Sequence, residues 1–336
     1  MSRPLDLSSP PAVSGRRFQV LSLSGGGVRG LYTACVLEGL EERSGVPLNE
    51  CFDLIAGTSI GGIIAMGLAL GRRASEVREL VQSASAQIFP PPLPLWTAMR
   101  GLFRARFDAA PLREVIEAMV GVDTRLGDLR TPLLVPAVAL TAGVAQMFRS
   151  PHHGAHALHA DTKLVDVALA TAAAPLVFPI AMIGNAQYLD GGLIAHAPDA
   201  LAVHEAQVFF GKRRDDIFML SVGTTRDLTA LAAGGNPSRG LLYWMREARL
   251  PDVVVGAQQS LSLQIAGEAL GERYIVINTP RSRDQGASVA LDRADHTAIA
   301  TLKAMAEHAL DDVGGDTRVA RVLAHRAAIF DLEARS

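Results

Sequence analysis

Short, largely apolar, β-prone runs alternate along this chain with longer segments whose apolar residues recur at helical spacing. Phe18–Leu23 is the first such run. It ends in a glycine turn, and the segment after it, Leu31–Glu42, carries Leu31, Cys35, Val36 and Leu40 at helical spacing. The same order returns at once: Phe52–Ala56 is apolar and strand-like, Gly57–Gly62 is a turn, and Ile63–Leu70 reads as a buried helix that Gly71 stops. Further strands are predicted at Leu133–Leu140, Ala145–Arg149, Ile217–Val222 and Tyr274–Asn278. Helices are predicted at Glu76–Ala86, Leu112–Met119, Val165–Ala173, Val253–Ala269 and His296–Ala309. Strands alternating with helices imply an α/β layered sheet. Ligands of such sheets sit at the carboxyl ends of the strands, where both glycine turns would lie.

A chain of 336 residues with 49% hydrophobic content can bury a large core. No long Gly/Ser linker, repeat or block of like charge divides it, so a flexible segment 1–17 followed by a single domain over 18–336, ending in a helical region, is expected. The run Pro90-Pro91-Pro92-Leu93-Pro94 reads as a loop insertion. A net charge of −2 with scattered lysines and arginines leaves no footprint for a nucleic-acid polymer. Cys35 and Cys51 form no disulfide pattern, and Met1–Arg17 lacks an apolar signal core, which together suit a reducing cytosol. The apolar stretches Ile60–Leu70 and Leu133–Ala139 fall short of the roughly 18 residues of a membrane span, so membrane contact would be peripheral. The segment from Gln87 to Asp108 mixes prolines, Trp96 and leucines with Arg100, Arg104 and Arg106. It reads either as a lid meeting a lipid surface or as a packed loop with a basic face.

Three glycine-rich segments carry candidate chemistry. Gly57-Thr58-Ser59-Ile60-Gly61 has the form G-x-S-x-G, in which Gly57 and Gly61 permit a sharp strand-to-helix turn that lifts a serine hydroxyl into the open. Taken alone, it is equally a tight connection with Ser59 as N-cap. Gly25-Gly26-Gly27-Val28-Arg29-Gly30 can present backbone N–H groups to an oxyanion. Through Gly25, Gly27 and Gly30 it also matches the dinucleotide fingerprint, but the acidic residue that fingerprint needs near the end of the second strand would have to be Asp53, which stands at the start. Asp190-Gly191-Gly192 reads first as a turn; beside the other two segments Asp190 becomes the leading general base, because a serine hydroxyl needs an adjacent proton acceptor. A hydrolase triad would draw on His196, His204, His296 or His308, yet a nucleophile as early as Ser59 does not suit that architecture. The cluster His152, His153, His156 and His159 invites a metal reading, but a polar loop is simpler.

At these residues the chain resembles the patatin-like phospholipases. The G-G-G-x-R-G at Gly25–Gly30, the G-x-S-x-G at Gly57–Gly61 and the D-G-G at Asp190–Gly192 occur in that family's order, and the likeness covers about Phe18 to Thr225. Thr171-Ala172-Ala173-Ala174-Pro175 also looks like the family's segment before the D-G-G turn. The resemblance implies a three-layer fold with a central, mostly parallel sheet flanked by helices, and a Ser–Asp dyad. In that dyad Ser59 is the nucleophile and Asp190 the base, with the oxyanion hole formed around Gly26, Gly27 and Val28 and supported by Arg29. It implies hydrolysis of membrane phospholipid esters without calcium, metal or other cofactor, at the inner face of the membrane. The chain is further similar to stand-alone patatin-like effectors of anti-phage systems, which implies a cyclic-nucleotide activator seated elsewhere, in the region after Thr225. A homo-oligomer is compatible with this. The competing readings are a nucleotide-binding sensor without hydrolase activity and a general soluble carboxylesterase.

Overall fold

The computed structural model describes residues 17–88, 105–227, 250–282 and 294–328, together with 289 and 292. The expected flexible segment 1–17 therefore lies outside the described residues except for Arg17, and so do residues 89–104 of the expected lid, including its proline run. Strands are β1 (Phe18–Leu23), β2 (Leu54–Gly57), β3 (Leu133–Ala139), β4 (Val144–Arg149), β5 (Ala181–Ile183), β6 (Ala186–Asp190), β7 (Ile217–Val222), β8 (Arg226–Asp227), β9 (Tyr274–Ile277) and β10 (Pro280–Arg281). Helices are α1 (Gly30–Ser44), α2 (Ile60–Ala69), α3 (Ala74–Ile88), α4 (Ala110–Val120), α5 (Leu164–Ala172), α6 (Gly192–Ala195), α7 (Asp199–Val208), α8 (Leu250–Leu270), α9 (His296–Asp312) and α10 (Thr317–Leu323). Each strand and helix expected from periodicity is present. The hairpin β5–β6, the pair β8–β10 and the helices α6, α7 and α10 have no counterpart among the expected elements.

One sheet runs β5-β6-β3-β2-β1-β7-β9, with β4 also paired to β3; β8 and β10 form a separate pair. β1, β2, β7 and β9 are parallel. β1 is buried along its whole length, because both faces of the central sheet are covered. Leu21 and Leu23 join a core with α1, α2 and α3, while Phe18 and Val20 pack with Ala202, Val203 and Ala206 of α7 and Ala266 and Leu270 of α8. The result is the expected three-layer α/β arrangement. Among the described residues no helix is long and apolar enough to cross a membrane.

The register of β3 decides where the site forms. On one side β3 pairs with β4 over Leu134–Ala139. A strand has two edges, so β2, paired in parallel at Leu133 and Leu134, and β6, paired antiparallel at Ala137 to Ala139, must share the other. β6 therefore runs head-on toward the carboxyl end of β2, and Asp190 stops just beyond it. Between the two meeting ends lies Pro136. Its carbonyl accepts the Thr171 hydroxyl at 2.7 Å, and a residue without an N–H leaves no unpaired donor in that gap.

Candidate active site

β2 ends at Gly57 and α2 begins at Ile60, so the chain turns within Thr58 and Ser59. Ser59 adopts φ 54°, ψ −125°, a conformation that costs a non-glycine residue on the order of 1–3 kcal/mol and is sustained only where its surroundings enforce it. The flanking glycines supply room: a Cβ at Gly57 would lie 2.3 Å from Gly61 O, and one at Gly61 would lie 2.5 Å from Leu23 O. Ser59 stands at the N-cap position of α2 but makes no side-chain cap bond. Its hydroxyl instead donates to Asp190 Oδ2 at 2.8 Å.

Asp190 is the last residue of a strand, and the turn expected there begins after it. The Gly192 amide donates to Asp190 Oδ1 at 2.6 Å. Burial pushes the carboxyl up from 3.8 to about 6, against the opposing pull of the Gly192 amide and the Ser59 hydroxyl. A base poised there must be ionised to accept a proton. Ester hydrolysis is therefore expected to fall about tenfold per pH unit below about 6 and to level off above it, as read from kcat/KM against pH with a soluble ester.

Thr171 fastens the two halves together. Its hydroxyl accepts the Ser59 amide at 3.0 Å while donating to Pro136 O, and its carbonyl accepts the Gly191 amide at 3.1 Å. Residues just past the acid continue the stitching, for Thr58 Oγ1 donates to Ala195 O at 2.6 Å and the Gly25 amide donates to His196 O at 2.9 Å. Neither Thr171 nor Thr58 has a role that the local sequence expresses.

The glycine loop follows β1 at the same edge of the sheet as the elbow. Gly25 spends its N–H on His196, Arg29 donates its N–H to Gly26 O at 3.1 Å, and the Gly30 amide turns back to the Gly27 and Val28 carbonyls. Of the six residues of Gly25–Gly30, this leaves the amides of Gly26, Gly27 and Val28 as the candidate donors to an oxyanion. Arg29 is buried and its Nε reaches Gly26 O at 3.4 Å. Thr224, after β7, donates its hydroxyl to Gly25 O at 2.6 Å and so anchors the loop from the other side. The His196 ring packs against Gly25, and burial, with the Arg29 charge adding to it, lowers its pKa to about 4. Imidazole is therefore neutral beside the dyad, and Ser59 bonds the carboxylate directly.

The dinucleotide reading is not met. Asp53 precedes β2 at the amino edge of the sheet, where its carboxylate accepts the Gln19 amide at 2.8 Å and lies 2.9 Å from His325 Nε2. The histidine cluster, expected as a polar loop, has two members in the interior. His152 and His156 are buried, and donor atoms of His152, His156 and Glu205 lie within 4.8 Å of one another. Glu205 is already engaged by Arg149 Nε at 2.8 Å and by His152 Nε2 at 2.9 Å, while His152 Nδ1 meets Ser150 Oγ at 2.9 Å. Its charge is thus compensated by protein groups, and burial, reinforced by His152, lowers His156 to about 3 and keeps it neutral.

The chain is similar in sequence to known proteins over most of its length. A family model described as patatin-like phospholipase matches residues 21–202, which span all three glycine segments. A cGAMP-activated phospholipase of Pseudomonas aeruginosa is 39% identical over 92% of this chain and 93% of its own length. Proteins of the same description from Escherichia coli and Vibrio cholerae are 31% and 32% identical, over 89% and 88% of this chain and 90% and 92% of theirs.

Proposed function

The chain belongs to the patatin-like phospholipase family and is a lipid acyl hydrolase; from that premise we propose that Ser59 and Asp190 form its catalytic dyad within one domain spanning 18–336. Asp190 takes the Ser59 proton as Oγ attacks the ester carbonyl. The tetrahedral oxyanion is held by the Gly26, Gly27 and Val28 amides, and the protonated acid releases the lysolipid alcohol. Asp190 then activates water to free the fatty acid. The positive end of α2, directly after Ser59, favours the developing negative charge. The observation that carries this reading is the 2.8 Å hydrogen bond from Ser59 Oγ to Asp190 Oδ2 across 131 residues of sequence.

The enzyme acts on membrane phospholipid from the cytoplasmic side by peripheral contact, as an anti-phage effector switched on by a cyclic dinucleotide. Support for the activator comes from the relatives' names, cGAMP-activated phospholipases covered over nearly their whole length. The region after Thr225 is suited to transmit such a signal, because Thr224 grips Gly25 O and β8 follows directly. Residues 228–249 of that region lie outside the described residues.

The test is release of fatty acid from phospholipid vesicles, with and without cGAMP and other cyclic dinucleotides. Hydrolysis is expected to rise on adding cGAMP. A fluorophosphonate should label Ser59, as located by peptide mass mapping. Labelling at another residue would remove Ser59 from its role, and cGAMP-independent hydrolysis would remove the switch.

A further inference from the structure

We propose that an apolar rim around the dyad, formed by Leu176, Ile180, Leu193, Val253 and Val254, enters the interfacial layer of a phospholipid bilayer and delivers the lipid to Ser59. This rests on the hydrolase reading above and adds to it the surface by which the bilayer is met.

Three segments bring the rim together. Leu193 belongs to α6, which opens at the catalytic turn. Leu176 and Ile180 lie between α5 and β5. Ala173, just before them, accepts the Asp190 amide at 3.0 Å, and Ala181, just after them, pairs with Tyr188 of the strand that ends at Asp190. The third segment is the start of α8, which carries Val253 and Val254. β9 runs parallel to β7 and starts at the amino edge, so the helix before it ends at that edge and must begin at the carboxyl edge. The bond from Gln258 Nε2 to Leu193 O, 2.6 Å, fixes α8 beside α6 there. The 21 residues of α8 are about 30 Å long, enough to pass the whole depth of the sheet.

These five side chains are between 39% and 72% exposed, although each is large and apolar. Clustered exposure of this kind marks an interaction surface, whereas single exposed apolar residues do not. A second observation concerns the backbone. Among the described residues only Ser59, Leu176 and Thr225 hold a positive φ without being glycine. Ser59 carries the nucleophile and Thr225 follows the anchor of the glycine loop. Leu176, at φ 71°, is the third, with the Arg106 amide donating to its carbonyl at 3.0 Å and the Phe107 amide donating to Val177 O at 2.9 Å. A branched residue held in that conformation with its side chain in water is costly in solution. Insertion among acyl chains would use the side chain that the backbone presents.

A bilayer suits the rim better than a second copy of the chain. A hydrolase of bilayer lipid must turn the sheet edge that carries Ser59 toward the membrane, and a copy of the chain covering residues at that edge would oppose this. α8 carries only Asp252 and Glu268 as charges, and Asp252, beside Val253 in the first turn, stands at the polar margin of the rim.

The variant Leu176→Asp/Ile180→Asp/Val254→Asp is compared with the parent enzyme and with Leu158→Asp. Leu158 is 93% exposed but follows β4, whose end pairs with the buried start of β3 at the opposite edge. Binding to vesicles of phosphatidylethanolamine and phosphatidylglycerol, read by co-sedimentation, and cGAMP-stimulated hydrolysis of those vesicles are expected to fall by about tenfold or more. Hydrolysis of a soluble short-chain ester and the melting temperature should stay within about twofold and a few degrees of the parent. Unchanged vesicle binding would overturn the proposal, as would an equal loss in Leu158→Asp, or a dimer that the triple variant converts to monomer without a vesicle defect. Failure of the dyad would look different, since Ser59→Ala would then still hydrolyse the soluble ester while vesicle binding stayed intact.

Discussion

Replacing Ser59 by alanine is expected to lower ester turnover by on the order of 10³–10⁶ while leaving the fold intact, because the nucleophile is lost but the hydrogen bonds that build the elbow do not use the Ser59 side chain. The Ser59 amide still reaches Thr171 Oγ1, and Thr58 still reaches Ala195 O. Asp190→Asn should fail to a similar extent for a different reason. The amide keeps the shape of the carboxylate, with an oxygen for the Gly192 amide, but cannot accept the Ser59 proton. The two variants separate chemistry from structure through stability. Asp190 is raised from 3.8 to about 6 by burial, so the folded state holds its proton over a pH range in which the unfolded state releases it. Ionised Asp190 thus lowers stability above about pH 6, by about 3 kcal/mol for the full shift, and the effect vanishes below the unfolded value. Asp190→Asn is therefore expected to melt higher than the parent at pH 8 and level with it near pH 4, as measured by calorimetry. An inactive but more stable protein is the signature of a functional carboxylate. Retained activity in either variant would discard the dyad, and a destabilised Asp190→Asn would make the carboxylate a structural group.

The second large effect concerns the oxyanion donors. Gly26→Ala is expected to reduce kcat on a soluble ester by on the order of 10²–10³, the range for losing one positioned donor. The cause is steric. A Cβ at Gly26 would lie 2.2 Å from Thr224 Oγ1, the hydroxyl that holds Gly25 O, so either the loop or its anchor must move and the amides of Gly26, Gly27 and Val28 shift together. Gly256→Ala, on the exposed side of α8 with nothing within 4 Å, is the control and should leave kcat within about twofold. A Gly26→Ala enzyme with full turnover would move the oxyanion donors to another segment.

Much of this site is legible in the linear chain. Phe18–Leu23 reads as a strand because it is short, largely apolar and ends in a glycine turn, and Ser59 is marked by glycines that close backbone approach demands. Other parts are hidden for stated reasons. β5 has only three residues and β6 a mixed, half-buried pattern, too little periodicity to detect. The histidine cluster reads as polar because its neutralising partner, Glu205, lies 53 residues from His152. Thr171 is silent as a sequence feature, since its importance lies in a carbonyl at Pro136 that local pattern does not reveal.

By itself, the sequence determined the alternation of strands and helices, the reactive groups and the family, because periodicity, glycine sterics and side-chain chemistry act over a few residues. The tertiary structure alone decided that these groups meet. β4 fills one edge of β3, which forces β2 and β6 to share the other and run at each other, and that register brings a hydroxyl and a carboxylate into contact across the gap at Pro136. Burial that follows from the same packing, and from no local motif, raises the acid toward neutral pH.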